Sequence, residues 1–252
     1  ICLAPLMFGF IVPATQLLLL AVFEAKPLGW DFVGLAWNSF SLAFLAAIVA
    51  VTLAIILSYA KRSKPIKPVR TAIAMAGFGY ALPGTIIAIG VLIPLAWMDH
   101  GLIALFESAG WDSPGLLLSG SLVALLFAYT VRFLAVALGS VQSGLEKIKP
   151  SLDHAGRSMG HSPLAILRKI HVPLMRSSIL TAVLIVFVDV LKELPATLIL
   201  RPFNFNTMAV RVYELASDER LADAAPAAIM IVLVGLIPVL MLHASIARRR
   251  PR

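Results

Sequence analysis

The 252-residue chain carries 21 Lys and Arg against 13 Asp and Glu, a net charge of +8, and 60% of it is hydrophobic. Only 13% is charged, about half the usual quarter of a soluble domain, and mean hydropathy is +0.94. These values exclude an ordinary soluble enzyme or binding domain and make it a membrane protein.

A bilayer core about 30 Å thick takes about 20 apolar residues as a helix. Apolar runs at 1–23, 37–59, 71–97, 116–138, 177–200 and 225–246 predict six spans in one all-α transmembrane domain covering 1–252, with no soluble module. The first run opens at Ile1, already apolar and without a basic n-region, so the chain is read as part of a longer polypeptide. The lone Cys2 is read as packing.

Between the second and third runs, KRSKPIKPVR holds five basic residues. The third run contains Gly77, Gly79, Gly84 and Gly90 with Pro83 and Pro94, which predicts a central, closely packed, kinked helix. The following loop, MDHGLIALFESAGWDSPG, has no Lys or Arg. After the fourth run the segment 139–176 holds six basic residues, and the tail ARRRPR holds four; on the alternate side only Lys26, Arg201, Arg211 and Arg220 occur. Excess Lys and Arg marks cytoplasmic loops, so the 61–70 loop, the 139–176 loop and both termini are expected in the cytoplasm. Topology thus accounts for the basic excess without nucleic acid.

Within 139–176 the stretch SLDHAGRSMGHSPLAILRKIHVP reads as two short helices. Ser151 is a candidate N-cap with Asp153 in the first turn, and Gly160 a left-handed stop. Ser162 is a second N-cap with Pro163 at the first helical position, and LAILRKI runs about two turns toward Pro173. Leu164, Ile166, Leu167 and Ile170 form its apolar side, so the pair should rest on the membrane domain and face a partner.

Ionisable residues inside a bilayer are costly and need partners or water. Arg132 lies in the fourth run, and Asp189, Lys192 and Glu193 lie in the fifth. Counted from the predicted cytoplasmic ends, Arg132 is roughly 9 Å deep and Glu193 roughly 24 Å, so Arg132 is expected to snorkel inward rather than pair with Glu193. Asp189 and Lys192 at i, i+3 predict a local ion pair; Asp189 and Glu193 at i, i+4 are alternatively two carboxylates lining an ion path. Beyond these, 201–226 reads as an external surface helix with Thr207 at its N-cap, either simply solvated or a docking face.

The 154–173 spacing resembles the EAA loop of ABC-importer permeases: EAA, three residues, Gly, nine residues, Ile, any residue, Leu-Pro. Here His154 stands for Glu, Ala155 matches, Gly156 stands for the second Ala, and Gly160, Ile170, Val172 for Leu, and Pro173 follow. His154 removes the acid of a Ser-x-x-Glu capping box and leaves Asp153 as the nearest carboxylate to stand in for it. The runs GSVQSGLEKIKPSLDHAGRSMG and VFVDVLKELPATLILRPFNFNTMAVRVYELASDERLADAA are similar to the C-terminal half of ferric-iron importer permeases, in which one polypeptide usually holds two six-span halves.

The resemblance implies the type I importer transmembrane fold in a bacterial inner membrane, and no enzymatic activity. It implies separate ABC ATPase subunits that hold the ATP, with no cofactor on this chain; a periplasmic substrate-binding protein; and a second six-span permease half. It also implies an ATPase-coupling role for Ser151, Asp153, His154, Ala155, Gly156, Gly160, Ile170 and Pro173. The alternatives are permeases of the same fold for thiamine, polyamine or phosphonate, an ion-coupled secondary transporter using Asp189, Lys192 and Glu193 as its relay, and a membrane-embedded enzyme. For the last, the five histidines show no HExxH spacing.

Overall fold

A computed structural model describes residues 3–27 and 29–247, with side chains omitted at 238, 239 and 241–247. Cys2, the start at Ile1 and the arginines of the tail lie outside the described residues. Helices are α1 (Leu3–Phe23), α2 (Trp30–Ser63), α3 (Lys67–Phe78), α4 (Gly84–Ser108), α5 (Leu122–Glu146), α6 (Pro150–Ser158), α7 (Pro163–Leu174), α8 (Arg176–Leu191), α9 (Pro195–Leu200), α10 (Met208–Ser217) and α11 (Leu221–Ala247). No strand occurs among the described residues.

Four of these, α1, α2, α4 and α5, are long and apolar enough to cross a bilayer, and α7 with α8, bent by 78°, form a fifth candidate. For the last predicted span, the described side chains support a shorter apolar stretch, Leu221–Ile237.

The core is where α2, α5 and α8 meet. On α2, Ala43, Ala46, Ala47, Ala50 and Ala54 recur at helical spacing and are buried. Hydrocarbon gives helices no hydrophobic reason to associate, so a stripe of small side chains that lets backbones approach supplies the dispersion contacts instead. α1 lies outside this core, against α11, with no buried residue.

Helix ends depart from the apolar runs wherever proline or a polar cap intervenes. The predicted third span is two helices, not one kinked helix: Leu82 is extended ahead of Pro83, whose carbonyl starts α4. Pro94, by contrast, sits inside α4 without ending it. Gly79 holds the break against α5, since a Cβ there would overlap the Val131 carbonyl.

The loop predicted from Met98 is helical to Ser108. Asp99, fully buried, accepts from the Leu118 N–H (2.9 Å), the Ser119 N–H (2.7 Å) and the Ser119 hydroxyl (2.6 Å), which ties the returning loop back onto α4. Ser121 then caps α5, which begins at Leu122 and runs on to Glu146. The predicted fifth span likewise ends at Leu191, because Pro195 restarts the chain as α9.

Two π turns, Met7–Ile11 and Leu167–His171, each precede a Val-Pro pair. The Val N–H bonds five residues back, to Met7 and Leu167 respectively, and the widened turn lets Pro13 and Pro173 remain in a helix they would otherwise break. α10 is capped by Thr207, whose hydroxyl accepts from the Val210 N–H at 3.4 Å. Met208, Ala209, Val210 and Leu215 are buried, so one face of α10 packs on the rest of the chain. The Met208 N–H donates to Ser39 Oγ (2.7 Å) and Asn38 Nδ2 donates to the Asn206 carbonyl (3.2 Å), which fixes α10 to the first turns of α2.

Candidate functional site

Two polar constructions stand out, one at the end of α2 and one where the third and fifth predicted spans break.

At the first, α6 starts two residues earlier than its serine suggests. Lys149 is the N-cap and Pro150 takes the first helical position, so Ser151 lies inside the first turn and is not the cap. Gly160 has φ +76° and closes α6: its N–H bonds the Arg157 carbonyl (2.9 Å) and the His161 N–H bonds the Gly156 carbonyl (3.0 Å), a Schellman pair. Ser162 caps α7, accepting from the Ala165 N–H at 3.3 Å with Pro163 in the first turn.

Gly156 is where the two helices touch. A Cβ there would stand 3.0 Å from Ile166 Cγ1, 3.1 Å from its Cδ1 and 3.3 Å from Ile170 Cδ1, so the position demands a minimal side chain. Ile166 and Leu167 are buried and Ile170 half-buried, as the apolar pattern requires, but Leu164 is exposed. Leu164 lies with Leu152, His154, Ala155, Met159 and Pro173 among the exposed residues of the pair.

Asp153 turns inward, away from the exposed side that His154 occupies. Its Oδ2 accepts from Arg62 Nη2 (2.6 Å) and Nε (2.8 Å), and its Oδ1 lies 2.8 Å from His171 Nε2, a close contact off the line of a hydrogen bond. Arg62 also donates to the Leu145 carbonyl (2.7 Å), which takes the Ile148 N–H as well (3.2 Å), and to the Ile148 carbonyl (2.8 Å) just past the end of α5. One guanidinium thus joins α2, α5 and α6, and through Asp153 it reaches α7.

His171 is fully buried, its ring edge-on to Tyr59 at 5.3 Å, and the Tyr59 hydroxyl donates to the Pro163 carbonyl (2.7 Å). Burial pushes the His171 pKa below its usual value; the Arg62 charge adds to this, while the Asp153 carboxylate opposes both. The sequence reading missed Arg62, Tyr59 and His171. Arg62 was counted only as one of five loop cations, although a long basic side chain in the last turn of a helix is a recognisable cap for neighbouring carbonyls.

The second construction surrounds Gly84. A Cβ on Gly84 would lie 2.6 Å from Glu193 Oε1, 2.7 Å from Arg132 Nη1 and 3.3 Å from Pro195 Cβ, so all three converge on the space that glycine leaves. Arg132 Nη1 donates to the Leu82 carbonyl (3.2 Å), freed by the break before Pro83. Buried Glu193 accepts from the Ala196 and Thr197 N–H groups (3.2 Å each) and from the Thr197 hydroxyl (3.1 Å), capping α9, and the Tyr129 hydroxyl meets Thr197 Oγ1 at 2.5 Å.

Arg132 and Glu193 thus share the surroundings of Gly84 without forming an ion pair, as expected, and it is the depth of Arg132 that is corrected. α5 continues to Glu146, which puts Arg132 roughly 21 Å along the helix from its C-terminal end, close to the roughly 24 Å counted for Glu193. Asp189 and Lys192 do form their ion pair, at 2.9 Å. Glu193 does not share their helix face, because α8 ends at Leu191 before the i, i+4 relation is completed. Among the described residues no three His, Cys, Asp or Glu side chains converge as a metal site.

The family described as "Binding-protein-dependent transport system inner membrane component" matches residues 66–251, well over half of the chain. The Fe(3+)-transport system permease protein FbpB 2 of Haemophilus influenzae is 33% identical over 118 residues, 47% of this chain and 23% of that protein, so the matched part spans less than a quarter of that relative. A permease provisionally named for 2-aminoethylphosphonate transport, PhnV of Salmonella typhimurium, is 24% identical over 86% of this chain and 77% of its own length. Among solved structures, a bacterial ABC transporter involved in the import of the acidic polysaccharide alginate superimposes with a TM-score of 0.72 at 15% identity, covering 99% of this chain and 95% of the other. The MetNI methionine ABC transporter gives 0.57 at 17% identity, over 86% and 99%. These likenesses establish the fold.

Proposed function

This chain belongs to the family of binding-protein-dependent transport system inner membrane components and is a permease subunit of an ABC importer; from that premise we propose that its cargo is ferric iron. The observation that carries the cargo is the 33% identity over 118 residues to a permease named for Fe(3+) transport. A 2-aminoethylphosphonate cargo is the second reading, favoured by a weaker likeness that extends over 86% of the chain. Deleting the chain from its host should abolish uptake of radiolabelled ferric iron supplied with its binding protein and spare 2-aminoethylphosphonate uptake. The reverse result supports the phosphonate reading and removes the iron one.

In this reading the chain performs no chemistry and holds no cofactor. ATP is hydrolysed on separate subunits, a periplasmic binding protein delivers the cargo, and a second six-span half completes the path. The exposed side of α6 and α7, with Leu152, His154, Ala155, Met159 and Leu164, enters a groove of the ATPase. Ser151, Gly156, Gly160, Ile170 and Pro173 shape that surface, and Asp153 holds it to Arg62. Closure of the nucleotide-bound ATPases then pulls on a loop that is fastened to α2 and α5 together.

The Asp189–Lys192 pair, with Lys192 62% exposed, is the more accessible polar feature beside the path. Glu193 is committed to the α9 cap and contributes by holding the break. Uptake by Asp189→Asn, in protein shown to be inserted and folded, tests the path role; unchanged transport removes it.

A further inference from the structure

A cavity of about 270 Å³ opens between the end of α2, the following loop and the end of α5, lined by Ser58, Lys61, Arg62, Arg70, Gln142 and Glu146 among others. It lies on the side of the molecule that carries the α6–α7 pair, because Arg62 belongs to both. Arg62 is saturated by Asp153 and two carbonyls, but Lys61 and Arg70 are exposed and form no ion pair with Glu146 or any other described carboxylate. Ser58, only 2% exposed, presents a buried Oγ without a hydrogen-bond partner. Buried hydroxyls are almost always satisfied, so an unpaired one against a basic cavity marks the place of an acceptor.

Alongside the cavity runs α3, which carries Lys67 and Arg70 in its first turns and exposes Met75 and Phe78 farther along; exposed Ile66 precedes it. Basic residues at one end of a helix and exposed apolar ones beyond suit the headgroup boundary of a bilayer, where the acyl chains lie against the apolar part.

We propose that this cavity binds the phosphate of an anionic membrane lipid, with Lys61 and Arg70 as its charged ligands and the Ser58 hydroxyl as a donor, while the lipid's acyl chains lie along α3. The site is separate from cargo passage and stands whichever substrate the importer carries. Glu146 at its rim opposes the anion and limits its affinity.

The test uses the purified importer with its ATPase subunits, titrated with phosphatidylglycerol or phosphatidylcholine and followed by native mass spectrometry and thermal unfolding. Phosphatidylglycerol should bind and raise the unfolding midpoint, and phosphatidylcholine should not. K61Q/R70Q should bind phosphatidylglycerol about thirty-fold more weakly, from the usual contribution of a basic residue at an anionic surface. Glu146→Gln, which lies outside the coupling contacts, should bind it several-fold more tightly and guards against a double variant that fails to assemble. Equal binding of the two lipids, or unchanged phosphatidylglycerol binding in either variant, overturns the proposal. So does inorganic phosphate producing the same shift and displacing the lipid, which makes this a free-anion site.

Discussion

Replacing Arg62 by Gln removes a side chain that holds α2, α5 and α6 at one point. The substitution strands the Ile148 carbonyl, leaves the Leu145 carbonyl with main-chain donors alone, and leaves the Asp153 carboxylate facing only His171. An unsatisfied buried acceptor costs roughly 1–3 kcal/mol, and an ion pair broken from one side roughly 3–5 kcal/mol when buried. Here the side chains are 18% and 14% exposed, so water recovers part of both losses. We take the net as about 3 kcal/mol of local stability, which corresponds to about a 150-fold larger open population of the α6–α7 segment. Hydrogen exchange on the assembled importer reads this directly: the Gly160 and His161 amides should lose protection by about that factor, while the amides of α1 are unchanged. ATP hydrolysis should become independent of the loaded binding protein. If protection at Gly160 and His161 in Arg62→Gln stays within about three-fold of wild type, the clamp reasoning is wrong.

Gly160→Ala meets no neighbour within 4 Å, so its whole effect is the backbone cost of φ +76° in a residue with a Cβ, about 1 kcal/mol. Gly160→Asn should cost less, and uptake measured for the two should fall in that order. Gly84→Ala drives a methyl against Glu193 Oε1 and Arg132 Nη1, both held by other bonds, and should lower stability by about 1–3 kcal/mol in thermal unfolding. Gly77→Ala, in open space in the same predicted span, is its control. His171 has a folded-state pKa below its unfolded value of about 6.5. Its contribution is therefore intact above about pH 6.5 and is lost as pH falls toward the folded value, where the opened segment takes up a proton that the closed one refuses. Proteolysis of the 150–174 segment should accelerate over that interval in wild type and not in His171→Gln.

The helical class, the glycine stop at Gly160, the Ser162 and Thr207 caps and the Asp189–Lys192 pair are all local features, each fixed by residues within four positions of one another, and periodicity and capping rules reach them. Proline was read too weakly: Pro83 and Pro195 break helices that hydropathy runs straight through, because an apolar average carries no record of a missing N–H. That error also set the depth of Arg132, since its helix continues beyond the apolar run to Glu146. Contacts across long separations were not accessible from the sequence. Arg62 meets Asp153 across 91 residues, and its place in the last turn of α2 marks it as a carbonyl cap without naming α6 as its partner.

α2 is 34 residues, a rod about 51 Å long and so much longer than the bilayer core is thick. Near one end Asn38 and Ser39 grip the segment before α10, and near the other Arg62 grips the α6–α7 loop. Those two grips are roughly 35 Å apart along a helix whose alanine face packs against two neighbours. A tilt of about 5° about one grip therefore carries the other through about 3 Å, a stroke comparable to the length of a hydrogen bond. A partner bound at α10 and one bound at α6 and α7 would hold opposite ends of the same lever.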